Sequence, residues 1–221
     1  MKLTPKIKID KHEHLTQNFR VHALLSDFEL EDVWQVPVIL TSNQSLHLFV
    51  EHFNKSMHKI INKGVAGLLF RLRLFLGKLF NLGDENKLVS ELIPGSIRHR
   101  YAQEEGLRFE DLPALSNGIL DFAPVYALEN EYLSEIENKT VHAALNFSRV
   151  PIAEAIWGVH MAVYVKPKGL LGKIYMLLIK PFRLWIVYPA LMKIVKHEWE
   201  SFVRLDTTIS TQQIFTTKRN L

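Results

Sequence analysis

Alternating apolar and polar residues between positions 129 and 165 constrain the fold of this chain most strongly. Two alternating runs meet at Asn138-Lys139, a spacing typical of a two-residue hairpin turn, and a third run follows Pro151. Because successive side chains of a strand point to opposite faces, the runs predict antiparallel strands with one apolar and one more polar face. The apolar positions are Val141, Ala143, Leu145, Phe147, Trp157, Val159, Met161, Val163 and Val165. The opposite positions are His142, Ala144, Asn146, Ser148, Gly158, His160, Ala162 and Tyr164.

The first half of the chain predicts one strand followed by two helices. Alternation over positions 28–38 indicates a strand, and Pro37 indicates an edge or irregular strand because proline cannot donate a ladder hydrogen bond. Ser42 or Asn43 is suited to cap a first helix. The apolar face of that helix carries Leu46, Phe49, Val50 and Phe53. A second amphipathic helix is predicted over 65–82.

The segment 169–202 contains helix formers throughout but carries Pro181 and Pro189, each of which removes a helical hydrogen bond. It predicts a long C-terminal helix that is kinked or divided into a pair. A membrane span needs roughly 20 consecutive apolar residues. Lysine and arginine side chains interrupt this segment and leave Leu184 to Met192 as its longest uncharged piece, so we expect no transmembrane helix. The interrupting residues are Lys173, Lys180, Arg183 and Lys193.

A length of 221 residues with 48% apolar residues suits one hydrophobic core. We expect a polar lead-in at 1–20, a single domain at 21–205 and a flexible tail at 206–221, with loops and short elements over 88–116. The absence of cysteine excludes disulfides, cysteine-ligated metals and thiol nucleophiles. The N-terminus lacks the apolar run and cleavage site of a secretory signal, so a cytoplasmic location is expected.

The predicted order of elements is that of the helix-grip fold, in which a curved antiparallel sheet closes around the last helix. The tracts TVHAALNF (140–147) and GLLGKIYMLLIKPFRLWIVYPALM (169–192) resemble an uncharacterised bacterial domain-of-unknown-function family. The resemblance extends over roughly residues 20 to 200 and implies a relation to the START and birch-allergen-like (SRPBCC, polyketide cyclase-like) superfamily. It implies a sheet-and-helix cavity for a hydrophobic ligand, with no characterised activity. The family tends to carry an acidic residue shortly after the strand histidine, where this chain has Ala143 and Ala144.

The leading functional hypothesis is a cavity between the apolar sheet face and the C-terminal helix that holds a lipid-like or aromatic ligand. Its candidate ligand-binding residues are Phe147, Trp157 and Met161 on the sheet, with Tyr175, Trp185 and Tyr188 on the helix. The alternative is that these side chains fill a packed core, as aromatic stripes generally do. On the opposite face, His142, His160 and Tyr164 either orient a polar ligand head in a cavity or form an ordinary solvent-facing exterior.

Two further hypotheses belong to other functional classes. Basic residues border the apolar stretches 65–82 and 169–195, which is typical of a helix that lies on an anionic membrane surface. The same pattern occurs where lysines and arginines keep an apolar helix in solution. An enzyme of the cyclase or hydrolase type would use His142, His160 and Tyr164.

Other site chemistries are not supported by the spacing of residues. His12 with His14, or His47 with His52 and His58, does not have the i, i+4 spacing of a helical metal site. No nucleotide or cofactor motif is present, so we expect neither a metal nor a cofactor.

Two charged segments have simple interpretations. The alternating glutamates at 129, 131, 135 and 137 would suit paired carboxylates for acid–base chemistry. The alternative, a solvated strand face, is the expectation because buried unpaired glutamates are rare. The basic tract RHRY at 98–101 is followed by Glu104 and Glu105, which would repel phosphates. We therefore expect no nucleic-acid partner.

Overall fold

The computed structural model describes residues 8–61, 95–114, 122–138 and 140–219. The helices are α1 (Lys11–Leu15), α2 (Arg20–Leu24), α3 (Leu46–Ile61), α4 (Ile97–Glu105), α5 (Gly169–Phe182) and α6 (Tyr188–Arg219). A 3-10 turn forms at Phe109–Asp111, and a π-helical turn at Arg183–Val187 joins α5 to α6. The strands are β1 (Glu29–Thr41), β2 (Ala123–Ala127), β3 (Glu131–Glu137), β4 (Val141–Ala153) and β5 (Ile156–Pro167).

The five strands form one antiparallel sheet in the order β1-β5-β4-β3-β2. Strand β1 lies at an edge, and its register with β5 shifts between Val36 and Leu40, around Pro37. This confirms the irregular edge strand that Pro37 predicted. The predicted α+β class is also confirmed, with its antiparallel sheet, long C-terminal helix and helices after the first strand. The arrangement is compatible with a helix-grip fold.

A tight turn joins β3 to β4, as the alternating runs predicted. The pairing extends from Glu131 opposite Ser148 to Glu137 opposite His142. At the turn, the Oδ1 atom of Asn138 accepts hydrogen bonds from the backbone N–H groups of residue 140 at 2.9 Å and of residue 141 at 3.0 Å. Asparagine commonly closes turns by binding its own following backbone in this way.

The apolar sheet face packs against α3 and α6. Phe147 of β4 is fully buried and lies with its ring 5.5 Å from Phe49 and 4.9 Å from Phe53, both on α3. Trp199 of α6 lies 5.7 Å from Phe49. The predicted apolar face of α3 is therefore confirmed as part of the core. Aromatic pairs at these separations add to the stability of a core beyond the area they bury.

The opposite sheet face is covered by α1, α2 and α4. Val21 and Leu24 of α2 are fully buried with Ala144 and Ala162 of the sheet. The segment 1–20, expected to be a polar lead-in, thus includes α1 and begins α2 at Arg20. Its packing was hidden because each of these helices has five residues, too few to display an apolar period.

The C-terminal helix continues through both prolines by changing its hydrogen-bond register. Pro189 has no N–H to donate within the helix. The π-helical turn lies just before it, and there the N–H of Tyr188 donates to the carbonyl of Arg183, five residues earlier. The backbone is helical through 206–219, and the flexibility predicted for the tail at 206–221 stays a prediction. Near the start of α5, Gly172 approaches the Thr140 carbonyl so closely that an added Cβ would lie 2.1 Å from its oxygen. Glycine therefore brings the backbone of α5 against the β3–β4 turn.

The predictions for 65–82 and for 88–116 can be compared with the structure to different extents. The second amphipathic helix, predicted over 65–82, lies outside the described residues. The described part of 88–116 contains α4, which Ser96 caps at its start and Gly106 ends with φ of 61°. Helix α4 carries almost no amphipathic pattern, so its sequence resembles a loop.

Candidate functional site

Helix α5 and the π-helical turn expose a continuous apolar surface, which we call the α5 face. Leu170 is 74% exposed, Leu177 is 70% exposed and Trp185 is 79% exposed. The other exposed members are Leu171, Ile174, Leu178, Phe182 and Ile186. Spacings of three and four residues place most of these side chains along one side of the helix. Contiguous exposed apolar surface of this kind generally marks an interaction site.

The opposite side of α5 is attached to the sheet. Gly172 is buried there, against the β3–β4 turn. Further along, the guanidinium of Arg183 lies 2.6 Å from a carboxylate oxygen of Glu31 and 3.0 Å from one of Asp32. Asp32 is 2% exposed, and burial raises its pKa although Arg183 opposes this. These contacts determine which side of α5 faces outward.

The charged side chains between positions 169 and 197 are all basic. No aspartate or glutamate occurs between positions 169 and 197. Lys173, Lys193 and Lys196 are exposed. Lys180 is also exposed and lies 3.7 Å from Glu31. The α5 face therefore combines apolar side chains with a basic border.

The predicted apolar ligand-binding residues are divided between the core and the surface. Phe147, Met161 and Tyr188 are buried in the cluster between the sheet and α6. Trp157 is partly buried and packs against Arg149, while Tyr175 is half-buried on α5. Trp185, placed in the same predicted cavity, instead belongs to the α5 face.

The predicted polar residues lie on the other side of the sheet from Phe147. His142 is 5% exposed, His160 is 3% exposed and Tyr164 is 3% exposed. The prediction of a solvent-facing exterior is therefore wrong, because α1, α2 and α4 cover this face. Among the described residues, no group of three or more His, Cys, Asp or Glu side chains is arranged to hold a metal ion.

The predicted solvated glutamate face is also wrong for two of its residues. Glu131 is 6% exposed and Glu135 is fully buried. Glu131 accepts the backbone N–H groups of Arg20 and Val21, at the start of α2. Glu135 accepts those of residues 97 and 98, at the start of α4. Each carboxylate thus satisfies helix N–H groups that have no partner within the helix.

Glu135 also binds His142. The predicted glutamate face and the predicted polar residues around His142 therefore belong to one buried hydrogen-bonded cluster. The Nε2 atom of His142 lies 2.6 Å from a carboxylate oxygen of Glu135. This contact bridges β4 to β3, and through Glu135 to α4. Its geometry explains the burial of both side chains without invoking catalysis.

A second polar cluster contains the buried His14, His160 and Tyr164 together with the half-buried His22. The Nδ1 atoms of His14 and His160 lie 3.4 Å apart, and the Tyr164 hydroxyl lies 3.0 Å from Nδ1 of His22. Burial, with the nearby His160 and His22, lowers the pKa of His14 to about 3. Burial also lowers the pKa of His160 to about 4. Both imidazoles are therefore neutral at neutral pH.

Sequence reasoning considered His14 only as a metal ligand, and it did not single out Arg149 or Arg183 as site residues. His14 precedes the expected domain, and no motif marked Arg149. Arg183 was counted as an interruption of an apolar run. For Arg183 the sequence did contain a signal, because this residue lies between Pro181 and Pro189, and prolines interrupt the regular hydrogen bonding of a helix.

Fold and surface together define a class: an α+β protein whose antiparallel sheet is covered by helices on both faces and whose C-terminal helix exposes an apolar, basic-bordered side. The chain belongs to the family described as protein of unknown function (DUF2867), which matches residues 24–190. The predicted membership of an uncharacterised family is thus confirmed. No curated protein and no solved structure matches the chain significantly. Among the described residues, no helix is both long and apolar enough to cross a bilayer.

Proposed function

We propose that this protein attaches peripherally to anionic membrane surfaces through the α5 face. The observation that carries the proposal is the exposure of Leu170, Leu177 and Trp185 on a segment with no acidic residue. An interfacial helix inserts its apolar side roughly 5–10 Å into the lipid while basic residues remain among the headgroups. Tryptophan is enriched at this depth because its ring is apolar and its N–H is polar.

The apolar side chains of the α5 face and its basic border both contribute to membrane binding. Burying apolar surface contributes about 25 cal/mol per Å². Each lysine near an anionic surface contributes about 1 kcal/mol, which decreases as salt screens the charge. Because Gly172 and Arg183 attach the other side of the helix to the sheet, the apolar side is already oriented outward before binding. Little ordering is then needed when the helix meets a membrane.

Flotation with lipid vesicles tests this proposal. We expect the protein to float with vesicles of phosphatidylglycerol and phosphatidylcholine, and to float much less with phosphatidylcholine alone or at high salt. The double substitution Leu170→Glu and Leu177→Glu should abolish flotation, because it places two charges in the lipid-facing surface. Lys173→Gln should reduce partitioning about five-fold, the effect of losing about 1 kcal/mol.

The matched control is Leu205→Glu, since Leu205 is 64% exposed but lies on α6, beyond the α5 face. This variant should float like the parent. Equal flotation of the parent and the double variant would contradict the proposal, and so would an absence of flotation with the anionic vesicles.

A second candidate function is binding of a hydrophobic small molecule, as a relation to the START superfamily would imply. It is favoured by the aromatic side chains that the sheet and α6 direct toward each other, including Trp34 and Tyr188, whose rings lie 4.8 Å apart. A ligand there would have to separate side chains that are packed together. Native mass spectrometry of protein purified without detergent should then detect a near-stoichiometric lipid or aromatic compound. An empty protein would count against this candidate.

A further inference from the structure

Two open depressions lie at the end of the sheet where the β2–β3 turn is found. The first, of about 470 Å³, is lined by residues of the β1–α3 connection, including Ser42, Asn43 and Ser45. The second, of about 410 Å³, is lined by the segment 17–19 and by Trp157. Arg149 of β4 lines both depressions. The two spaces therefore share one arginine.

Among the residues that the structure describes, no carboxylate forms an ion pair with Arg149, although a partly buried arginine generally has such a partner. Its guanidinium carbon lies 3.7 Å from the centre of the Trp157 ring, and this stacking orients the group. Its Nε atom is buried and has no hydrogen-bond partner among the described residues. By contrast, Arg100 pairs with Asp27 and Arg183 pairs with Glu31.

An oriented and partly desolvated cation without a counterion is an unfavourable arrangement. Removing a charge from water is costly unless an opposite charge or hydrogen bonds compensate it. The stacked guanidinium still offers its terminal N–H groups in a fixed plane, which suits the oxygens of a carboxylate or phosphate. A partner other than the described residues of this chain would complete the interaction.

We propose that Arg149 is the centre of a binding site for a small anion that carries a carboxylate or phosphate group. The remaining polar part of such a ligand would meet hydroxyl and amide groups of Ser42, Asn43 and Ser45, which are neutral and can both donate and accept. His47, in the first turn of α3, lines the same depression, and the helix dipole adds positive potential there, the same sign as the charge of Arg149. This site is separate in its residues from the α5 face.

One neighbouring residue opposes anion binding and therefore provides a sharp test. Glu129 lines both depressions and is exposed. Its carboxylate repels an incoming anion, so the site would prefer ligands whose charge approaches Arg149 away from Glu129. Removing this charge should tighten anion binding several-fold, because a negative charge that lines the same depression repels the ligand.

The experiment is an NMR titration of the full chain with inorganic phosphate, and separately with acetate, at constant ionic strength. We expect saturable shifts at the side-chain N–H signals of Arg149 and Trp157. Saturation by phosphate alone would indicate a phosphorylated ligand, and saturation by acetate would indicate a carboxylate. Arg149→Gln should remove the shift at Trp157, whereas Arg108→Gln, at an exposed arginine elsewhere, should leave it unchanged.

Glu129→Gln is the second variant and changes only an exposed side chain, so it remains informative if Arg149→Gln folds poorly. A several-fold tighter titration in Glu129→Gln supports the site. The proposal is overturned if the shifts at Trp157 do not saturate, if they persist in Arg149→Gln, or if Glu129→Gln titrates like the parent.

Discussion

Replacing Glu135 by alanine is expected to lower the free energy of unfolding by about 3–5 kcal/mol, the usual effect of removing one partner from a buried charged network. The substitution leaves the two N–H groups at the start of α4 without acceptors, because Glu135 accepts both at 2.7 and 2.8 Å. It also removes the partner of His142 at 2.6 Å. Each group remains buried and unsatisfied, which adds a desolvation penalty to the lost bond. Urea denaturation measures the change.

The control is Glu137→Ala, two residues along the same strand. Glu137 pairs with Lys168 at 2.6 Å, but the two side chains are 27% and 40% exposed. A pair this accessible to water contributes about 1 kcal/mol or less. Glu135→Gln keeps one acceptor oxygen and should have an intermediate effect. Equal losses for Glu135→Ala and Glu137→Ala would show that burial of Glu135 does not have the role assigned to it.

Acid should destabilise the fold through the buried histidines before the carboxylates are fully protonated. The pKa of His14 is lowered from 6.5 to about 3, and that of His160 to about 4, chiefly by burial. Below pH 6.5 the unfolded chain therefore binds protons that the folded chain does not, so the free energy of unfolding falls as the pH falls. The stabilisation is fully present above pH 6.5 and is lost progressively down to about pH 3.

The slope of the free energy of unfolding against pH shows whether the buried histidines cause this loss of stability. Each histidine that stays neutral in the fold contributes a slope of up to about 1.4 kcal/mol per pH unit between pH 6 and pH 4. His14→Gln removes one such group, and the slope should decrease by about that amount. His197→Gln removes an exposed histidine of α6 and is the matched control. Denaturation curves at several pH values give the slopes; identical slopes for the parent and His14→Gln would contradict the prediction.

The sheet could be predicted because its determinants are local. Alternation around Asn138-Lys139 indicated β3, β4 and their turn, and the missing N–H of Pro37 indicated an irregular edge strand. The apolar face of α3 followed from its spacing. These properties depend on backbone geometry and on neighbours a few residues apart, which the sequence displays directly.

The candidate sites were less predictable because they depend on what covers each face. Alternation separated Phe147 from His142, but it could not show that α1, α2 and α4 cover the histidine side. The glutamates of β3 gave the same pattern as a solvated face, although Glu131 and Glu135 bind helix starts 111 and 38 residues away. Alternation with a period of two shows which side chains share a face of the sheet, but it does not show whether that face is exposed to solvent.

The sequence by itself determined the strand alternation, the helix-forming C-terminal segment with its two prolines, and the absence of acidic residues from 169 to 197. Only the tertiary structure decided which side of α5 is exposed, because Gly172 packs against Thr140 at the β3–β4 turn and Arg183 pairs with Glu31 of β1. Likewise, Trp185 and Tyr188 are three positions apart, yet one is 79% and the other 6% exposed. The physical reason is that burial depends on contacts between distant parts of the chain, whereas propensity and periodicity act within a few residues.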